Sequence, residues 1–145
     1  MIRLSALLFF ALAMVCLPGC GGNKVQGLPT DEQNMKAIAL LYGEFSSSKR
    51  KPPANLEEFK KYLEATKANP AAVITFEGDV ETFLTSPRDK KPYVFIWNVT
   101  PQVGKYDPIA YEQEGDGDSR LAAFGGGSVV DLDPEQFKQL VPNAK

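Results

Sequence analysis

The hydrophobic period changes once along this chain, and that change limits the folds open to it. Met35, Ile38, Ala39, Tyr42 and Phe45, with Leu41 beside them, recur at helical spacing, as do Leu56, Phe59 and Leu63. Such spacing predicts two amphipathic helices. Thr30 with Gln33, and Asn55 with Glu58, sit at capping-box separation at their starts. Residues 46–53, Ser-Ser-Ser-Lys-Arg-Lys-Pro-Pro, read as the polar loop between them, and the second helix fades before Asn69-Pro70. Beyond that point the helical period is lost. Ala72 to Phe76 reads as a short strand, and Val80 to Leu84 suits either a helical turn or a strand. After a dense turn signal over residues 85–92, Tyr93 to Val99 is the clearest strand, rich in β-branched and aromatic residues. Ile109 to Glu112, Arg120 to Phe124 and Ser128 to Leu132 read as three more, with Gly125-Gly126-Gly127 as a hairpin turn. Asp133 and Pro134 then start a final helical turn that faces Phe137 and Leu140 inward. Helices first and strands after predict an α+β fold, with helices packed on one face of a small antiparallel sheet. Residues 30–145 are expected to form one such domain.

The first 19 residues belong to a different physical class. They carry a single charge, Arg3, followed by an unbroken apolar run from Leu7 to Leu17. A basic start, a short apolar stretch and small residues at its end are the layout of a secretory signal peptide. The run is shorter than the roughly 20 residues a membrane-spanning helix needs. Leu17-Pro18-Gly19-Cys20 resembles the lipobox of bacterial lipoproteins. That resemblance implies cleavage after residue 19 and a lipidated Cys20, with residues 20–29 as a tether that opens on the small, polar Gly21-Gly22-Asn23. It also implies attachment in the bacterial cell envelope, facing the periplasm. The absence of an acidic residue after Cys20 favours the outer membrane. Cys16 would leave with the signal peptide, so the mature domain would hold neither a free thiol nor a disulfide.

The composition excludes several function classes. With no histidine in the sequence, a Ser-His-Asp triad, a Cys-His pair and histidine-ligated zinc are impossible. The net charge of −2, one unit more acidic once Arg3 is removed, offers no footprint for nucleic acid. No serine has an evident base beyond lysine or carboxylate, and neither a nucleophile elbow nor a phosphate-binding glycine loop occurs. An enzyme is not expected, and no cofactor is called for.

Three weaker binding candidates remain. Glu114, Asp116 and Asp118 alternate with glycines and could supply oxygens to calcium. They lack the distal glutamate of an EF-hand, and Asp-Gly pairs between strands also mark plain turns. Tyr93, Trp97, Tyr106 and Tyr111 could form an aromatic face for a glycan, although alternation places Tyr93, Phe95 and Trp97 together as sheet core. Lys49-Arg50-Lys51 could touch an anionic lipid or glycan, or simply keep a loop in water. Glu57 and Lys61 form an i,i+4 pair on the solvated face of the second helix.

From Leu40 onward the order of signals resembles the globular domain of type II secretion pseudopilins. The pieces are Leu41-Tyr42 at a helix end, Pro52-Pro53 before Leu56-Glu57-Glu58-Phe59, and Ser86-Pro87-Arg88-Asp89 leading into Lys91-Pro92-Tyr93-Val94. Ile109-Ala110-Tyr111-Glu112 and Phe124-Gly125-Gly126-Gly127-Ser128-Val129 complete them, the last with Gly126 where that family often has aspartate. The resemblance implies a pilin-like α+β domain. The filament-forming members begin with a long apolar helix, which the lipobox replaces here, so no pseudopilus is expected. The function implied is a non-catalytic, membrane-anchored lipoprotein with a structural role or an envelope protein as partner. The alternative is a small lipoprotein that binds calcium or glycan.

Overall fold

Residues 30–102 and 105–142 are described in a computed structural model of the chain; the expected signal peptide, Cys20 and the rest of residues 20–29 lie outside them. Helices α1 (Thr30–Lys49), α2 (Leu56–Lys67) and α3 (Val80–Phe83) come first. Strands β1 (Val94–Phe95), β2 (Pro108–Tyr111), β3 (Arg120–Phe124) and β4 (Ser128–Leu132) follow, and α4 (Pro134–Leu140) closes the series. The strands make one antiparallel sheet in the order β1-β2-β3-β4, so the fold is α+β.

The position of α1 follows from side-chain size. Met35, Ile38, Ala39, Leu41 and Tyr42 form its fully buried stripe. They pack on Ile109, Ala110, Leu121 and Ala123 of the sheet. Ala110 and Ala123 are paired across β2 and β3, and two such small residues let a helix approach the sheet closely. Phe59 and Leu63 bring α2 into the same core, where Phe59 meets Tyr42 edge-on at 5.8 Å between ring centroids. Asn55 caps α2 as its spacing predicts, its side chain accepting from the Glu58 amide at 2.9 Å. The Glu58 carboxylate reaches back one residue further than expected, to the Ala54 amide.

The opposite face of the sheet is covered as well. Tyr111, Ala122, Phe124 and Leu132 pack there against Phe137 of α4 and against Val141. The expectation of helices on one face therefore holds for α1 and α2, while α4 lies on the other. Asp133 caps α4 with a complete capping box to Gln136. Phe137 is buried as expected, but Leu140 is exposed. At Val141 the backbone leaves helical geometry (φ −125, ψ 62), and that residue turns inward instead.

Other differences have local causes. Ser46, Ser47 and Ser48 are helical, and Ser46 Oγ and Ser48 Oγ turn back to donate to the carbonyls of Tyr42 and Phe45 within α1. The chain leaves the helix only at Arg50, which sits at φ 56. Residues 72–76 are not a strand; Phe76 stacks on Phe83 at 4.1 Å instead. Val80 to Phe83 resolves as a helical turn, capped by Asp79. The Tyr93 to Val99 strand is cut to Val94–Phe95. Ile96 still donates to Ile109 O, but Asn98 at φ 62 turns the chain away, and its amide meets Pro53 O. The alternation within this segment survives: Tyr93, Phe95 and Trp97 pack toward α1 and α2, and Val94 and Ile96 toward α4.

Two glycines differ by environment. Gly127 sits at φ +87, and a Cβ there would lie 2.6 Å from Leu40 Cδ2. Gly127→Ala is expected to destabilise the fold by about 1–2 kcal/mol through backbone strain, before any shift of Leu40. Gly43 lies inside α1, where a Cβ meets nothing within 4 Å, so Gly43→Ala should stabilise by about 1 kcal/mol. Urea unfolding of the two variants checks both signs.

Candidate functional site

The densest polar arrangement is built around Glu112, which follows β2 and is 0% exposed. Strand alternation puts Glu112 in phase with Ala110, hence on the α1 side of the sheet. Its carboxylate takes three partners. Ser86 Oγ donates to Oε1 at 2.6 Å, the Leu121 amide donates to Oε2 at 2.9 Å, and Arg88 Nη1 lies 3.5 Å from Oε2. Arg88 extends the cluster outward. Its guanidinium is 3.4 Å from Asp131 on β4 and 3.8 Å from Asp31 in the first turn of α1, and it donates to Ser119 Oγ at 3.0 Å. The Arg88 amide donates to Ser86 Oγ at 3.0 Å, so the serine both receives and gives.

The loop that presents Ser86 and Arg88 is itself fastened. Leu84 O accepts from the Tyr93 amide, Lys91 O from the Ser86 amide, and Ser86 O from the Lys90 amide. Asp89 Oδ1 accepts from the Lys91 amide at 2.9 Å, while Oδ2 accepts from the amides of Glu114 and Gly115 at 2.9 and 3.1 Å. Asp89 thus ties this loop to the turn after β2.

These environments move two carboxyl groups in opposite directions. Burial raises Glu112 above its ordinary value, against the pull of the Ser86 hydroxyl, the Leu121 amide and the Arg88 charge; nearby Asp89 adds to the rise. Burial also opposes the charge on Asp89, but the amides of Glu114, Lys91 and Gly115, with the Lys91 charge, outweigh it and hold Asp89 below its ordinary value. Tyr93 is buried beside the cluster. Desolvation and the charges of Glu112, Asp31 and Asp89 push its phenol up, while Ser86 pulls it down, so it stays protonated. Its hydroxyl meets the geometry of a hydrogen bond with none of the described residues.

Chemically, this arrangement holds charge in place. Among the described residues Ser86 is the serine beside a buried carboxylate; its hydroxyl donates to Glu112, and Glu112 is balanced by Arg88. Among the described residues, no group of three or more Asp, Glu, Cys or His side chains is placed to hold a metal ion. A serine stands three residues before a lysine at Ser46 and Lys49 and again at Ser48 and Lys51, but Ser46 Oγ donates to Tyr42 O at 2.8 Å and Ser48 Oγ to Phe45 O at 3.0 Å within α1.

The sequence candidates fall in separate places. Glu114, Asp116 and Asp118 lie in the turn between β2 and β3, where Asp116 and Ser119 form an isolated bridge and Gly115 and Gly117 take positive φ. The Glu114 carboxylate is paired with Lys91, whereas Asp116 and Asp118 are exposed. The four aromatic residues do not share a face. Tyr93 is buried in the α1 core, Tyr111 packs edge-on against Phe137 across the sheet, Trp97 stacks on Phe95 and exposed Tyr106 touches Phe124. Cys20 lies outside the described residues.

The charged cluster was not evident as a site in the sequence. Glu112 carried the one usable signal, an acid at an inward position of an apolar strand. Asp31, Arg88 and Asp131 are brought to it only by the packing of α1 and the sheet. Compared with profiles of known families, with curated proteins and with solved structures, the chain matches none.

Arg88→Ala strands the Glu112 carboxylate in the core and should cost about 3–5 kcal/mol, the usual penalty for halving a buried pair. In the double variant with Glu112→Gln, part of that loss should return, because the amide needs no counter-charge; a double-mutant cycle by urea unfolding measures it. The pH response follows from the shifts. The raised Glu112 contributes stability that is full below its ordinary value of 4.5 and is lost as pH rises through its folded value. The lowered Asp89 contributes stability that is full above its ordinary value of 3.8 and is lost as pH falls through its folded value. Glu112→Gln should therefore gain on wild type as pH rises above 4.5. Asp89→Asn should lose its disadvantage in strong acid.

Proposed function

We propose that this chain is a bacterial envelope lipoprotein, lipidated on Cys20, whose pilin-like α+β domain is non-catalytic and works by contact with a protein partner. The observation that carries the non-catalytic part is the Ser86–Glu112 pair. The side chains best placed to react are buried and engaged with each other, with Arg88 and with the Leu121 amide. A group used to neutralise a neighbour in the core is a structural tie.

The anchor is supported by the lipobox resemblance of Leu17-Pro18-Gly19-Cys20 and by residues 20–29, which lead directly into α1. Each buried methylene adds about 0.8 kcal/mol, and one acyl chain binds only marginally, so the two or three chains of such lipoproteins make a stable anchor. The pilin-like reading is supported by element order: a 20-residue helix laid on the sheet, then four antiparallel strands whose last hairpin turns at three glycines. Replacement of the long apolar helix by a lipobox sets the proposal at a lone anchored domain with an envelope partner, and the acidic balance argues for no nucleic acid.

Two measurements test this reading. Cys20→Ser should leave an unprocessed or soluble product on membrane fractionation, and a variant that is cleaved normally and resists carbonate washing would overturn the anchor. Millimolar calcium should leave the unfolding free energy unchanged. A tight site held at 100 times its dissociation constant would instead add about 2.7 kcal/mol, and that result would favour a calcium-binding lipoprotein.

A further inference from the structure

A groove of about 590 Å³ runs along the outer side of α1, between that helix and residues 100–102. Leu40, Gly43, Ser46 and Ser47 of α1 line it, together with Pro101 and with Gly126 of the β3–β4 turn. The turn closes this end. Gly127 approaches Leu40, and Gly125 lies so near Pro101 that a Cβ would sit 3.0 Å from its Cα. The other end opens on Arg50 and Lys51.

The charges at the open end are unequal. Lys51 is held by Glu58 at 2.7 Å. Arg50 makes no ion pair or hydrogen bond with the described residues. It is also exposed, and it occupies φ 56, where a glycine would sit without strain. Gly43 is equally unexplained by the fold. It lowers helix stability by about 1 kcal/mol relative to alanine, yet its Cβ would meet nothing within 4 Å. Because Gly43 lines the groove, a larger side chain there would stand in it.

We infer that this groove docks an extended acidic segment of a partner protein. An apolar side chain of that segment rests on Leu40 and Pro101, and a carboxylate meets Arg50. The two anchoring points are ten residues apart on α1, about 15 Å along a helix, which four or five extended residues span. A guanidinium without a partner among the described residues, beyond an apolar floor at Leu40 and Pro101, complements a carboxylate, and arginine pairs with it bidentately. The choice of a protein over the anchoring membrane rests on the lipoprotein reading. The tether enters α1 at Thr30, and the 20-residue helix carries Arg50 about 30 Å from that end.

The test uses the full chain in neutral-lipid nanodiscs and two fluorescein-labelled peptides, Leu-Gly-Ser-Glu-Asp and its amide counterpart Leu-Gly-Ser-Gln-Asn. The acidic peptide should bind at least about tenfold more tightly, and added salt should weaken it, as expected for charge pairing at an exposed site. Gly43→Leu fills the channel, and Arg50→Gly removes the cation while relaxing the backbone, so both variants should fold. Each should lower acidic-peptide affinity at least about fivefold. Equal binding of the two peptides, no binding of either, or binding unchanged in both variants overturns the proposal. It is equally overturned if phosphatidylglycerol vesicles, or a second copy of the chain, bind through Arg50 while the acidic peptide does not. Cys20→Ser keeps the groove and loses the anchor, so failure of docking and failure of anchoring give separate results.

Discussion

A carboxylate removed from water is costly, and much of this structure is arranged around the one at Glu112. Desolvating an ion costs several kcal/mol unless partners replace its hydration. Ser86 and Arg88, from one loop, and the Leu121 amide, from β3, do so here. Arg88 in turn reaches Asp31 at the start of α1 and Asp131 on β4. One buried charge thereby links the first turn of the long helix, the loop after α3 and three successive strands. It also opposes slippage of the sheet. A shift of β2 by one residue would send Glu112 to the face where Tyr111 meets α4 and bring Tyr111 under α1.

The two faces of the sheet are built differently. Toward α1 the paired alanines, Ala110 and Ala123, allow close approach, and the bulk comes from the helix side through Met35, Ile38, Leu41 and Tyr42. Toward α4 the sheet supplies the bulk, through Tyr111 and Phe124, while the short helix contributes Phe137. Arg120 lies over the Phe137 ring at 4.6 Å. Ser86 and Glu112 are buried and hold elements together, whereas Arg50, which makes no ion pair with the described residues, stands at the surface just past α1.

Elements defined by neighbours in sequence were the legible ones. Met35, Ile38, Ala39 and Tyr42 mark the buried stripe of α1 by spacing alone, and Asn55 and Asp133 mark helix starts because a cap acts over three residues. The third and fourth strands and their glycine turn were equally plain, since a hairpin is a local structure. Where the reading failed, a distant contact decided. Ala72 to Phe76 has an apolar pattern a strand could use, but Phe76 found the Phe83 ring. Tyr93 to Val99 has strong β propensity, yet Asn98 breaks it and its amide pairs with Pro53. Leu140 lies within α4 but is exposed, and Val141, four residues after Phe137, takes the inward place.

The sequence by itself determined the fold class, the helix caps, the main hairpin and the absence of histidine chemistry, because each depends on residue identity or on spacing within a few positions. Only the tertiary structure decided that Glu112 is buried and paired, that α4 covers the second face, and that the four aromatic residues part company across the sheet. It alone placed Asp31 beside Arg88 and the glycine turn beside Leu40. Contacts of that kind depend on how closely α1 can approach the sheet, and no local pattern records that distance.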